Sequence, residues 1–256
     1  TMQTALSMAD EKDEAHYNLA KLIYQKEIKQ ANMPYPQWNL DLALAETNKA
    51  YALNPLPLYK HLEAQIVYFK GEYAKAYEQF MALTKTNLRN GELFYEAAQC
   101  KQQLKAPFEE ILTLLDSAVT AQDAHLSAPY VLARGTALHG AQQYKKAMAD
   151  YNRYDSLMLG RASHDFYYTR ALCEVQLRQF QQALNDFAHA IVLNRAEPTY
   201  YAELAQLQLR VNQKEDAVVT ADLGLRIAPN YPDLYLIKGL ALVNDNKKNE
   251  GLAALN

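Results

Sequence analysis

The feature that most constrains this chain is an internal repeat of 34 residues. The segments His164–Glu197, Pro198–Tyr231 and Pro232–Asn256 align on one another without gaps. Small residues recur at Ala171, Ala205 and Gly239, at Ala183, Ala217 and Gly251, and at Ala190 and Gly224. Tyr167, Tyr201 and Tyr235 add an aromatic series at the same spacing. A period of this length implies stacked supersecondary units, because one such unit cannot bury its own apolar face.

The repeat extends backwards with some erosion. Ala128–Ser163 holds Arg134, Gly135, Tyr144, Ala147 and Tyr151, with two extra residues near Leu159-Gly160. Pro57–Asn90 offers Ala64, Gly71, Tyr73, Ala76 and Phe80, whereas Gly91–Ser127 matches only at Phe94, Ala97 and Ala98. The first unit places Tyr17, Ala20 and Tyr24 before an interruption at Ala31–Trp38 and Ala43 and Ala50 after it. We therefore expect a lead-in over 1–13 and one array over 14–256. Its units run at about 14–56, 57–90, 91–127, 128–163, 164–197 and 198–231, with a partial one at 232–256. Within each, apolar residues recur at helical intervals, as in Phe166, Tyr167, Ala171, Leu172 and then Ala183, Leu184, Phe187, Ala190, Ile191. Pro55, Pro198, Pro229 and Pro232 fall at unit boundaries, where a helix start tolerates a missing N–H.

Composition narrows the function. Half of the 256 residues are apolar, which excludes long disorder. With 26 basic and 29 acidic side chains the net charge is −3, against the basic surplus of a nucleic-acid binder, so no nucleic-acid partner is expected. No apolar run reaches the roughly 18 residues of a membrane span, so no membrane-spanning segment is expected, and the sequence does not choose between cytoplasm and bacterial periplasm. Six histidines show no paired metal-ligand spacing, and neither a phosphate-binding loop nor a dinucleotide fingerprint is present. No catalytic residue, metal or cofactor is expected, and the chain does not read as an enzyme.

The stretch Arg170-Ala171 through Phe180, Ala183, Asp186-Phe187, Ala190, Ile191 and Leu193 resembles the tetratricopeptide repeat. Arg134-Gly135 through Tyr144, Ala147, Asp150 and Tyr151 is similar to it as well. Arg195 stands where the family has a terminal proline, and the third unit lacks the usual turn. The resemblance implies an all-α, right-handed superhelical solenoid of helix-turn-helix repeats. It also implies a scaffold or adaptor for a protein or peptide, with an assembly module or a regulatory segment of a larger protein as the alternatives. In the family the first helix of each unit lines a concave surface. Here that face would hold His61, Gln65 and Tyr68 in the second unit, Tyr95 and Gln99 in the third, and Thr136 and His139 in the fourth. Tyr168 follows in the fifth, with Glu203, Gln206 and Arg210 in the sixth. Tyr68, Tyr95 and Tyr168 are the candidate aromatic anchors. The Lys/Asn/Arg clamp of chaperone-binding members is not supplied at these places.

Other residues have structural readings. Arg134 and Arg170 occupy one place in adjacent units, and Asp150 and Asp186 lie sixteen residues beyond each. Both partners change together in the next unit, to Leu204 and Thr220, which points to an ion pair between the two helices of a hairpin. The motif tyrosines Tyr17, Tyr24, Tyr73, Tyr144, Tyr151, Tyr154, Tyr167, Tyr201 and Tyr235 are expected to pack between helices. Trp38 is expected to cap the following helix by packing against the array, with an exposed recognition loop as the alternative. Cys100 and Cys173, two units apart, are too far separated for a disulfide. Thr1-Met2 suggests a missing upstream segment, and an unfinished last unit ending beyond Leu252 and Leu255 suggests continuation or self-association through that end.

Overall fold

The structure, a computed structural model, describes residues 12–29, 38–88, 90–121, 128–245 and 247–255. The Ala31–Gln37 interruption lies outside the described residues, as do the side chains of Trp38 and Leu255. Among the described residues every regular element is an α-helix. The chain divides into two compact units, through Arg134 and from Gly135.

The first unit contains α1 (Asp13–Lys29), α2 (Trp38–Leu53), α3 (Pro57–Phe69), α4 (Tyr73–Leu83), α5 (Asn90–Gln103) and α6 (Phe108–Thr120). Helix α7 (Ala128–Gly140) carries the boundary. The second unit contains α8 (Tyr144–Met158), α9 (His164–Gln176), α10 (Phe180–Leu193), α11 (Pro198–Arg210), α12 (Lys214–Ile227), α13 (Pro232–Asn244) and α14 (Lys248–Leu255). Neighbours in sequence pack as antiparallel hairpins, α3 on α4, α5 on α6, α9 on α10, α11 on α12 and α13 on α14. Within each unit a hairpin also packs on the next, as α4 does on α5, α10 on α11 and α12 on α13.

Backbone chemistry explains the hairpins. Pro57, Pro198 and Pro232 open their helices from an extended residue, because a first-turn position has no intrahelical partner for an N–H. At each tight turn one residue adopts the left-handed conformation: Gly71, Lys105, Gln142, Arg178 and Asn212, with φ between 53° and 85°. The following amide then reaches back five residues, as Glu72 N does to the Val67 carbonyl (3.2 Å) and Gln179 N to that of Glu174 (2.9 Å). Gln213 N to the Gln208 carbonyl (2.8 Å) and Lys247 N to that of Leu242 (2.9 Å) repeat the bond. These bonds satisfy carbonyls that a helix end leaves open, which offsets the cost of a left-handed non-glycine residue.

The recurring small residues mark close helix crossings. A Cβ on Gly224 would stand 2.7 Å from Leu234 Cδ1 and 2.9 Å from Tyr201 Cβ, so no larger residue fits without movement. Ala171, Ala183, Ala190, Ala205 and Ala217 are fully buried for the same reason. Large side chains fill the spaces between hairpins. Phe187, wholly buried, packs with Ala171, Ala183, Leu184, Leu204 and Leu207. Tyr201 packs with Ala221, Leu234 and Ile237. In the first unit Ala20, Leu40, Ala43, Leu62 and Ile66 play this part. Tyr235 departs from the expected packing, at 40% exposed. Its hydroxyl donates to the Pro229 carbonyl (2.9 Å), as that of Tyr201 does to the Arg195 carbonyl (3.2 Å). Tyr201 is covered by the next hairpin, and no further hairpin in this sequence covers Tyr235.

Candidate functional site

The first-helix residues form one group in each unit, with Thr136 and His139 apart on the boundary helix. In the first unit, α3 presents His61 and Gln65 one turn apart, so both side chains share a face. On α5, Glu92 and Glu96 do the same. His61 Nε2 lies 2.5 Å from Glu96 Oε2, and Gln65 Nε2 donates to Glu96 Oε1 at 2.7 Å. The donor atoms of His61, Glu92 and Glu96 all lie within 4.8 Å of one another. Burial pushes the His61 imidazolium down, but the Glu96 carboxylate, aided by Glu92, holds its pKa above the ordinary value. Tyr68 packs edge-on against Tyr73 at 5.2 Å, and Tyr95 leans on Tyr130 at 5.2 Å. Both anchors and Gln99 remain partly exposed.

At the boundary helix, Thr136 is exposed. His139 Nδ1 meets the Tyr151 hydroxyl at 3.2 Å, and burial lowers its pKa. Thus His139 is engaged with tyrosine in its own hairpin.

In the second unit, α9 and α11 enclose a cavity of about 150 Å³. Leu172, Val175, Phe187 and Leu207 supply apolar lining, and Gln176, Glu203, Gln206 and Arg210 supply polar groups. The Arg210 guanidinium sits 4.8 Å from the Phe180 ring, which favours a fixed position at the rim. Desolvation, with Asp233 nearby, pushes the Glu203 carboxyl up. Tyr168 lies beside this cavity rather than in it, between Phe187 (5.9 Å) and Tyr200 (4.9 Å). The Tyr200 hydroxyl donates to Asp165 Oδ1 (2.7 Å), so Tyr168 rests on an anchored ring. The sequence marked Leu172 only as part of an apolar helix face and did not mark Gln176. Both lie one or two turns from Tyr168 on α9, and that helical spacing is the signal that could have found them.

Beneath this surface lies the arginine site. Arg170 donates from Nε to Asp186 Oδ2 (2.5 Å) and from Nη2 to Asp186 Oδ1 (2.9 Å). Its Nη1 donates to Asp155 Oδ2 (2.7 Å), so the guanidinium ties α9 to both α10 and α8. The Phe166 and Tyr167 rings flank it at 5.1 and 5.4 Å. Where the next unit has Leu204 and Thr220, both are buried and no charge is present. Arg134 donates from Nη1 to Asp116 Oδ1 (2.9 Å), and Asp150 is buried on α8.

One turn from Arg170, Glu174 is buried and its Oε2 has no hydrogen-bond partner among the described residues. Burial, and secondarily the Asp186 charge, push its carboxyl up to about 7 from an ordinary 4.5. The folded chain therefore holds a proton between these values that the unfolded chain releases. Stability from this group is fully present below about pH 4.5 and is lost as the pH rises through about 7. Glu174→Gln is expected to remove the loss. In thermal melts the variant should gain little at pH 4.5 and about 6–12 °C at pH 8, equivalent to about 3 kcal/mol. A difference that stays flat with pH would contradict this assignment. Cys100 and Cys173 are free, and burial pushes their thiols up to about 12 and about 11. They are inert small residues of the core.

No family model matches the sequence, and a search of curated proteins gave no match. Solved structures do match. YrrB, described as a TPR protein with an unusual peptide-binding site, is 16% identical with a TM-score of 0.61, covering 68% of this chain and 88% of its own. The C-terminal part of a TPR repeat-containing protein from Cytophaga hutchinsonii is 19% identical, with a TM-score of 0.63 over 75% of this chain and 74% of its own. A tetratricopeptide repeat protein from Parabacteroides merdae, 14% identical with a TM-score of 0.56, covers 93% of this chain and 91% of its own. The hairpins, their left-handed turns and these likenesses agree, and the chain has the tetratricopeptide-repeat fold.

Proposed function

We propose that this chain is a non-catalytic scaffold that binds a segment of a protein partner across the first helices of its hairpins. The observation that carries the reading is the α9–α11 cavity. Its 150 Å³ is a volume in which a ring the size of benzene fits, so it would take one large apolar side chain. Around it, Gln176, Gln206 and Arg210 offer amide and guanidinium donors to the backbone carbonyls of the same segment, while Glu203 and the two amides offer acceptors. Such a pairing of one buried anchor with a polar rim is the usual economy of a peptide site. YrrB, with its peptide-binding site, supports the reading by analogy of fold.

The test is selection from a displayed peptide library. Peptides selected on the wild-type chain should carry a Phe, Leu or Met anchor. They should bind a Gln176→Ala/Gln206→Ala/Arg210→Ala variant at least tenfold more weakly, because all three side chains are exposed and their loss spares the core. Equal binding to both proteins would move the function off this surface.

A second reading, self-association, is favoured by one observation. Tyr235 and Leu236, with Pro229, Asn230, Pro232, Ala253 and Ala254, line an open, mostly apolar cleft of about 660 Å³. Light scattering on the same samples separates the two, since a dimer lost on Leu236→Glu would place assembly ahead of peptide binding.

A further inference from the structure

We propose that His61, Glu92 and Glu96 form a binding site for a divalent first-row transition ion, with zinc as the representative. The inference goes beyond the scaffold reading and stands without it. Three features of the α3–α5 contact carry it.

The first is the donor set. One imidazole nitrogen and two carboxylate oxygens lie within 4.8 Å of one another, drawn from the facing helices of adjacent hairpins. Three protein ligands of this type, with a fourth position left open, are a recurrent zinc arrangement. Imidazole selects against magnesium and calcium, which take oxygen donors. The second is charge. Glu92 and Glu96 sit at i and i+4 on α5, a pairing of like charges that disfavours the helix by itself. Protonated His61 neutralises only one of them, and a divalent cation neutralises both. The third is support around the ligands. The Gln65 amide donates to Glu96 Oε1 at 2.7 Å, which holds that carboxylate with its other oxygen, Oε2, toward His61. Hydrogen bonds of this outer kind orient ligands at metal centres.

The geometry needs one adjustment. Donors of a tetrahedral zinc with bonds near 2.1 Å stand about 3.4 Å apart. His61 Nε2 and Glu96 Oε2 are at 2.5 Å, so they must separate by a little under an ångström as the ion enters. His61 is nine-tenths buried and packs edge-on against Phe80 at 6.0 Å, which makes it the fixed ligand. Glu92 is the most exposed of the three, which makes it the closing ligand and turns the mouth of the site toward solvent. A bound ion would join α3 to α5 and so fix the spacing of two adjacent hairpins.

The experiment uses the whole chain, stripped with a chelator and dialysed, titrated with zinc chloride in a non-coordinating buffer. One equivalent is expected to bind, with cobalt(II) giving the visible absorption of a tetrahedral complex and magnesium giving no heat. His61→Asn should abolish this binding. Because His61 is buried, Glu92→Gln is the second variant, at a position where folding is not at stake, and circular dichroism checks both. Glu92→Gln should weaken zinc binding at least tenfold and lose the zinc-induced rise in thermal midpoint. No zinc binding by the wild type, equal binding by Glu92→Gln, or equal binding of magnesium would each overturn the proposal.

Discussion

Arg170→Ala is expected to cost about 3–5 kcal/mol of stability, because it leaves two carboxylates without their buried cation. The Arg170 side chain is only 12% exposed, and Asp186 beside it 11%. Asp155, on the other side, shares the same guanidinium at 2.7 Å. Removing Arg170 thus strands Asp186 between α9 and α10 and loosens α8 as well. Arg178 makes the comparison clean. It is exposed, it sits at the left-handed turn with φ 59°, and Ala meets the same backbone strain there. Arg178→Ala should change stability by less than about 0.5 kcal/mol. Urea denaturation followed by circular dichroism checks the pair, and equal midpoints for the two variants would refute the role given to Arg170. The double change Arg170→Leu/Asp186→Thr, which copies Leu204 and Thr220 of the next unit, should recover much of the loss. Replacing a buried ion pair by well-packed neutral residues often costs little.

Phe187→Ala is the second large effect, at about 3–5 kcal/mol. Its ring has no exposed surface and fills the space enclosed by Ala171, Ala183, Leu204 and Leu207. These neighbours are held on three helices and cannot all move in, so a cavity remains. Val192→Ala, in the same helix but 66% exposed, should stay within about 0.5 kcal/mol. Repeat arrays lose stability where they are cut. Hydrogen exchange should accordingly quicken first in the amides of α9, α10 and α11. Uniform acceleration across α9 to α14, with no local excess, would contradict the nearest-neighbour picture of the second unit.

Much of the fold was legible because packing writes itself into residue size. Gly224 and Ala190 share a place in the repeat, and at Gly224 there is no room for one more carbon against Leu234. In the last complete units such positions stay small, so the period shows. The turns were less legible. Lys105, Gln142 and Arg178 take the left-handed conformation that Gly71 takes freely, so the demand lies in the backbone and leaves no mark on side-chain identity. The pairing of Arg170 with Asp186 left a trace because both places change together. Asp155 left none, since it joins Arg170 from another hairpin without a matching series. Tyr235 shows the limit of the periodic argument, since a motif place predicts burial only where another hairpin follows.

The site was legible in part for the same reason. Glu203, Gln206 and Arg210 fall on one face of α11 by helical spacing, and all three line the cavity. Its other wall, Leu172, Val175 and Gln176, belongs to the preceding hairpin and required the hairpin packing. Glu92 and Glu96 are visible as a pair one turn apart. That they face His61 depends on the packing of α5 against the preceding hairpin.

The central claim is that first helices, not second helices, meet the partner. Hydrogen exchange of the chain with and without a library-selected peptide tests it most directly. Slowed exchange is expected on α9 and α11, around Leu172, Gln176, Gln206 and Arg210, with α10 and α12 unchanged. Slowed exchange on α10 and α12, with α9 and α11 unchanged, would contradict it.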